Sequence, residues 1–258
     1  MKRRTFLKNS AIAASASMVA GNVKANSAPV SEKDFYELKV YQLTGGGSRN
    51  QLLKYYSEAV IPLLNANGAK VGLFNEYGME DPPKVYILHT YKSPDDYLNV
   101  VMKMKRDKNF LNAAKSYFDI PAIKPVFERY ETFLMTAFDT IPHFKTPDKN
   151  RGLLELRTYE SYNEDAGHRK VKMFNDEELP LFEKVGLHPV FFGQLLAGGY
   201  MPALTYMLWF KDMEERDTNW KKFASSDEWK AMSSKETYKD TVSKVRRKFL
   251  TPMELSQI

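Results

Sequence analysis

Between Phe35 and Leu43 apolar and aromatic residues alternate with polar ones at a spacing of two, the pattern of a strand with two unlike faces. The period then changes. Leu52, Leu53, Tyr56, Val60, Leu63 and Leu64 fall on one face of a helix that should end near Gly68, a residue suited to a left-handed C-terminal turn. Two strands follow, about 70–77 and 84–91, joined by a turn from Gly78 to Pro83. A charged amphipathic helix is expected from Pro94 to about Ser116, and a strand over about 127–138 closes the unit. The order is βαββαβ, the ferredoxin-like motif.

The chain then repeats the pattern. Leu154-Glu155-Leu156-Arg157-Thr158-Tyr159 lies over Tyr36-Glu37-Leu38-Lys39-Val40-Tyr41 at an offset of 118, which also pairs Lys54 with Lys172, Pro62-Leu63 with Pro180-Leu181 and Gly68 with Gly186. Strands are expected over about 152–161, 189–197, 202–210 and 246–254. The helices between them should carry Val171, Phe174, Leu181, Phe182 and Val185 in the first case and run from Asp212 to about Val242 in the second. An offset of 120 puts Tyr86-Ile87-Leu88-His89 on Tyr206-Met207-Leu208-Trp209, and so His89 on Trp209. Pro62 and Pro180 each fall inside a helical pattern and should bend it, or restart the helix, at equivalent places. A period this long marks a duplicated domain, since solenoid repeats run ~20–50 residues. The domains read as 35–138 and 151–258, with 139–150, which holds two prolines and no apolar period, as the linker.

What precedes the first strand changes the charge argument. Lys2-Arg3-Arg4-Thr5-Phe6-Leu7-Lys8, the small-residue stretch Ala11 to Ala20 and the site at Val23-Lys24-Ala25 make residues 1–25 a twin-arginine signal peptide, too short and weakly apolar to remain as a membrane span. The expectation is export by the twin-arginine machinery to the periplasm or another extracytoplasmic space. Removing those residues takes away five basic groups and no acid, lowering the formal net charge from +6 to +1. A nearly balanced chain lacks the field that phosphate backbones exploit, which sets nucleic acid aside. The absence of cysteine excludes disulfides, thiolate metal sites and cysteine nucleophiles.

The strand Leu154-Glu155-Leu156-Arg157-Thr158-Tyr159, with Glu178-Leu179-Pro180, Gly186 and Ser225-Ser226-Asp227-Glu228-Trp229, resembles a NIPSNAP domain. The first copy is a degenerate match, with Lys39-Val40 in place of the Arg-Thr pair and Phe110 in place of Trp229. The resemblance implies the dimeric α+β barrel superfamily: an α+β fold in which two tandem ferredoxin-like domains pack sheet to sheet as an intramolecular α+β barrel. That superfamily holds cofactor-free monooxygenases, haem-dependent enzymes and small binding proteins, so the resemblance does not select an activity.

Candidate chemistry follows from the faces of the first strands. Leu38 and Val40 suit the helix-covered side, which assigns Glu37, Lys39 and Tyr41, and likewise Glu155, Arg157 and Tyr159, to the barrel interior. There they would form a ligand-binding site in which a cation holds an anionic group and Tyr or Glu handles a proton; the alternative is that Glu37–Lys39 and Glu155–Arg157 merely neutralise one another. His89, mid-strand, joins the set as a base, a haem ligand or a hydrogen-bonded sheet histidine. No metal-ligand spacing and no cofactor motif is present, and Gly45-Gly46-Gly47-Ser48 reads as a turn with a serine cap. Runs such as Lys244-Val245-Arg246-Arg247-Lys248 read as solvated faces. Two functions stay open: a small-molecule-binding protein, which could also form a homo-oligomer, and an oxidative or lyase-type enzyme using the same cavity, with no catalytic residue assigned.

Overall fold

A computed structural model describes residues 32–45, 47–78 and 82–258. The proposed signal at 1–25 lies outside them, as do Gly46 and the centre of the turn before Pro82. The first half runs β1 (Phe35–Leu43), α1 (Ser48–Tyr55), α2 (Ile61–Asn65), β2 (Lys70–Glu76), β3 (Lys84–Tyr91), α3 (Pro94–Met104), α4 (Lys108–Phe118) and β4 (Phe127–Ala137). The second runs β5 (Leu153–Glu160), α5 (Glu164–Met173), α6 (Leu179–Val185), β6 (His188–Ala197), β7 (Ala203–Phe210), α7 (Met213–Ser225), α8 (Asp227–Ser233) and β8 (Lys244–Pro252).

The eight strands close into one antiparallel barrel in the order β1-β3-β2-β8-β5-β7-β6-β4. Each half contributes its strands in the same internal order, β4-β1-β3-β2 and β8-β5-β7-β6. The seams between halves are short: Phe74–Glu76 of β2 against Leu250–Pro252 of β8, and Leu134–Ala137 of β4 against Gly193–Ala197 of β6. Closure leaves no free strand edge, the standing hazard of a sheet.

The prolines act where the pattern placed them, though not by a kink. Pro62 cannot donate to the carbonyl four residues back, and the helix widens just before it into a π-turn over Tyr56–Val60; Pro180 is preceded by the matching π-turn at Phe174–Glu178. The second-half helix ends on Gly186 in the left-handed conformation at φ 80°, as expected. In the first half the helix ends at Asn65 and Gly68, at φ 77°, closes the turn after it. Ser48 is not the cap of α1: Gly47 holds that position without a side-chain bond, and the Ser48 hydroxyl meets Thr44 at 2.8 Å. The long charged helix expected in each half is two helices, broken before Asp107 and at Ser226, whose side chains cap the second segment by accepting from Phe110 and Trp229.

Three apolar cores result. One lies between the first-half sheet and its helices, around Tyr41, Leu52, Tyr56 and Ile87, and a second in the equivalent place around Phe174, Phe182, Phe192 and Tyr206. The third fills the barrel with Tyr36, Leu38, Leu88, Met135, Leu156 and Phe191 among others. This corrects the face assignment. Leu38 and Leu156 point into the barrel, while Glu37, Lys39, Tyr41 and His89, with Glu155, Arg157 and Tyr159, point toward the helices. Alternation could not decide between the faces because both are covered: Phe35, Tyr36, Glu37 and Leu38 are all buried. On the helix side α7 brings Arg216 and Trp220 to Glu155, while Glu37 is paired by Lys39, His89 and Tyr91 of its own and the neighbouring strand.

Candidate functional site

The barrel is filled at one end and hollow at the other. A cavity of ≈ 530 Å³ opens where β1, β5 and the first residues of β3, β4 and β8 meet. Its floor and walls are Leu38, Val40, Tyr86, Phe133 and Leu156, with Thr158 and Thr205 joined by a 2.8 Å hydrogen bond. Tyr200, from the β6–β7 hairpin, stacks on Phe133 at 6.1 Å and lies under the Arg246 guanidinium at 3.8 Å. The rim carries Gln42, Lys84, Arg129, Glu131, Lys244, Arg246 and Lys248. Arg246 is paired with Glu160, and Lys248 with Glu76 at 2.8 Å.

These residues were legible as strand positions but not as a site. The run Lys244 to Lys248, read as a solvated face, places Lys244, Arg246 and Lys248 on one side of β8 by the two-residue period, and that side turns inward. The signal was the two-residue spacing of Lys244, Arg246 and Lys248, masked in part by the basic Arg247 between the last two.

The expected site residues form two separate clusters beneath the helices. In the first half Glu37 Oε2 lies 2.8 Å from His89 Nδ1, Glu37 Oε1 lies 2.9 Å from Lys39 Nζ, and the Tyr91 hydroxyl donates to Glu37 at 3.4 Å. Burial pushes the Glu37 carboxyl up, but the hydrogen bond and charge of His89, with Lys39, outweigh it and hold it at about 2. His89 Nε2 is buried and has no hydrogen-bond partner. Tyr41 packs on Tyr56 and Tyr130 and joins no polar contact with Glu37. His89 faces Tyr56 at 5.8 Å between ring centroids and Tyr91 at 6.2 Å, so a porphyrin could reach Nε2 only by displacing this packing. The residues present do not fit a haem.

In the second half Glu155, wholly buried, accepts from Arg216 Nε and Nη2, both at 3.0 Å, and from Trp220 Nε1 at 2.7 Å. Arg157 is a lesser partner, 3.5 Å from Glu155 through Nε, stacked over the Trp220 ring at 4.1 Å and donating to the Tyr206 hydroxyl at 3.4 Å. Tyr206 in turn donates to Tyr159 at 2.8 Å. Sequence reasoning paired Glu155 with Arg157 and missed Arg216 and Trp220, which come from α7 and share no local spacing with β5. Nearby, Lys170 and Glu178 form a buried pair at 2.6 Å. Strand register also corrects the position of His89: Glu37 lies opposite His89 and Glu155 opposite Leu208, so the counterpart of His89 is Leu208 and not Trp209.

Together the closed eight-stranded barrel, the helices outside and the one hollow end define an α+β barrel with an internal cavity. Residues 154–257, within the second half, match the model of the NIPSNAP family. No curated protein matches the chain. Among solved structures, a candidate monooxygenase from Lactobacillus acidophilus NCFM is 9% identical, covers 86% of this chain and 94% of its own, and superposes with a TM-score of 0.55. A candidate monooxygenase from Fusobacterium nucleatum subsp. nucleatum ATCC 25586 is 9% identical over 87% and 94% of the two chains, also at 0.55. An anthrone oxidase-like protein is 6% identical over 86% and 92%, at 0.53. At these identities the likeness is one of fold alone. Among the described residues no cluster of His, Asp and Glu could hold a metal ion, and no helix is long and apolar enough to cross a membrane.

Proposed function

We propose that this protein binds a small molecule in the hollow end of its barrel. The observation that carries the reading is the ≈ 530 Å³ cavity with apolar walls and a polar rim, within the size range of small-ligand sites. Nile red, a neutral apolar dye, is a direct probe: it should bind with a blue-shifted emission, and Val40→Trp, which puts an indole into the cavity, should weaken binding without unfolding the protein. Dye binding that is absent, or that the substitution leaves unchanged, overturns the reading.

An oxidative enzyme using the same cavity is the second reading, favoured by the folds of the candidate monooxygenases and by the tyrosine hydroxyls and Glu131 at the cavity. It stands below the first because His89, the buried base the sequence offered, lies outside the barrel with the helices. Turnover of a bound aromatic substrate with dioxygen uptake would promote it.

Two finer statements belong to the same proposal. The halves are tandem ferredoxin-like repeats produced by duplication, supported by the 118-residue offset, the matched π-turns and the shared strand order. Each alone would expose an apolar inner sheet face, so separately expressed halves should aggregate or associate, and two stable monomeric halves would refute it. The protein is also exported: replacing Arg3 and Arg4 with lysine should retain the precursor in the cytoplasm, and undisturbed export would refute that part.

A further inference from the structure

The rim of the cavity is not neutral. Six cations line it, Lys84, Arg129, Lys244, Arg246, Arg247 and Lys248, against one carboxylate, Glu131. Glu160 and Glu76, from outside the lining, neutralise Arg246 and Lys248. Lys84, Arg129, Lys244 and Arg247 have no carboxylate partner among the described residues, leaving a surplus of three positive charges over Glu131. Lys84 and Arg129 are placed as a cradle. Gln42 of β1 lies opposite Lys84 of β3 on one side and opposite Arg129 of β4 on the other, so three inward side chains stand in a row across neighbouring strands. Gln42 Nε2 also donates to the exposed Glu128 at 3.2 Å. Below this row Val40 of β1 and Tyr86 of β3 are the next inward residues, Glu131 of β4 stands opposite Val40, and the apolar Phe133 comes one step further in, opposite Leu38.

Unpaired cations gathered above an apolar floor are a cost unless something offsets them: like charges repel, and the net field at a cleft mouth draws in anions. Resting on the cavity reading, we propose that the ligand is an amphipathic organic anion, with an apolar body against Val40, Tyr86, Phe133 and Leu156 and a terminal carboxylate between Lys84 and Arg129. Lys244, on the opposite rim, adds to the attraction without touching the head group in the same pose. The rim is solvated, so the preference should weaken with added salt.

The experiment is competition against bound Nile red by three amphiphiles of one chain length: decanoate, decanol and decylamine. Decanoate should displace the dye at a concentration about tenfold below that of decanol, equivalent to 1.4 kcal/mol, and decylamine should be the poorest competitor. The preference should shrink in high salt and disappear in Lys84→Gln/Arg129→Gln. Decanol equal to decanoate, decylamine better than either, or a preference that persists in the double variant would overturn the anion inference and leave the cavity reading standing. Failure of Nile red itself to bind would remove the cavity reading, and this inference with it.

Discussion

The Nδ1 atom of His89 sits 2.8 Å from Glu37 Oε2 in the first half, and the second half has Leu208 at the matching register position. The fold therefore does not require a histidine there. His89 satisfies Glu37 but leaves its own Nε2 buried and unpaired, an arrangement that costs about 1–3 kcal/mol for the orphaned atom. His89→Leu should destabilise by roughly 2–3 kcal/mol, because Glu37 then keeps only Lys39 and Tyr91. Glu37→Met/His89→Leu should recover most of that loss, since it removes both buried polar groups. Urea unfolding of the two variants checks this; a double variant no better than the single would mean that His89 is held by contacts other than Glu37.

Acid stability should report the same pair. The carboxyl of Glu37 is held at about 2, below its usual value in an unfolded chain, near ~4.3. A depressed carboxyl contributes stability that is fully present above the unfolded value and is lost as pH falls toward the folded one, here from about 4.5 to about 2. Glu178 has the opposite sign: burial pushes it up, with Lys170 offsetting only part, so its contribution improves as pH falls. Glu37→Gln should flatten the acid limb of stability against pH, and Glu178→Gln should steepen it. Equal slopes in wild type and both variants would sink the assignment.

The buried pair Lys170–Glu178 has a built-in comparison, because the 118-residue offset gives Leu52 and Val60 as its counterparts. Breaking a buried ion pair strands a charge and costs about 3–5 kcal/mol, whereas an apolar replacement of both partners is neutral or stabilising by about 1–4 kcal/mol. Lys170→Leu and Glu178→Val should each lower the midpoint of thermal unfolding strongly, and the double variant should restore or exceed it. A double variant as unstable as the singles would show that this half cannot adopt the first half's apolar solution.

What the sequence made legible was whatever repeats locally. The strands, the helix around each proline and the duplication all rest on spacing within a few residues or on one long offset, and β1, with bounds Phe35–Leu43, agrees with its expected range. The face of β1 was not legible: Glu37 and Leu38 are both buried, and the partners that hold Glu37 on the helix side include His89 and Tyr91, some fifty residues on in β3. A one-residue choice of face then exchanges every site residue, so a cavity expected between the sheets is lined by Leu38, Val40, Leu156 and Thr158 in place of Glu37, Lys39, Glu155 and Arg157.

Glu155 supplies the last test of that exchange. Had Arg157 been its main partner, Arg157→Ala would strand a buried carboxylate. In the fold Arg216 meets Glu155 in a two-pronged contact and Trp220 adds a third donor, while Arg157 lies at 3.5 Å and spends its guanidinium over the Trp220 ring. Paired, forked geometry carries most of the energy of an arginine–carboxylate contact. Arg216→Ala should therefore cost about 3–5 kcal/mol, and Arg157→Ala about 1–2 kcal/mol, mostly through lost stacking. Glu155→Gln/Arg216→Met should recover a large part of the Arg216 loss, because the amide no longer needs a counter-charge and can still accept from Trp220. Chemical denaturation of the three variants orders them; Arg157→Ala costing as much as Arg216→Ala would return Arg157 to the role first inferred from its place beside Glu155 on the strand.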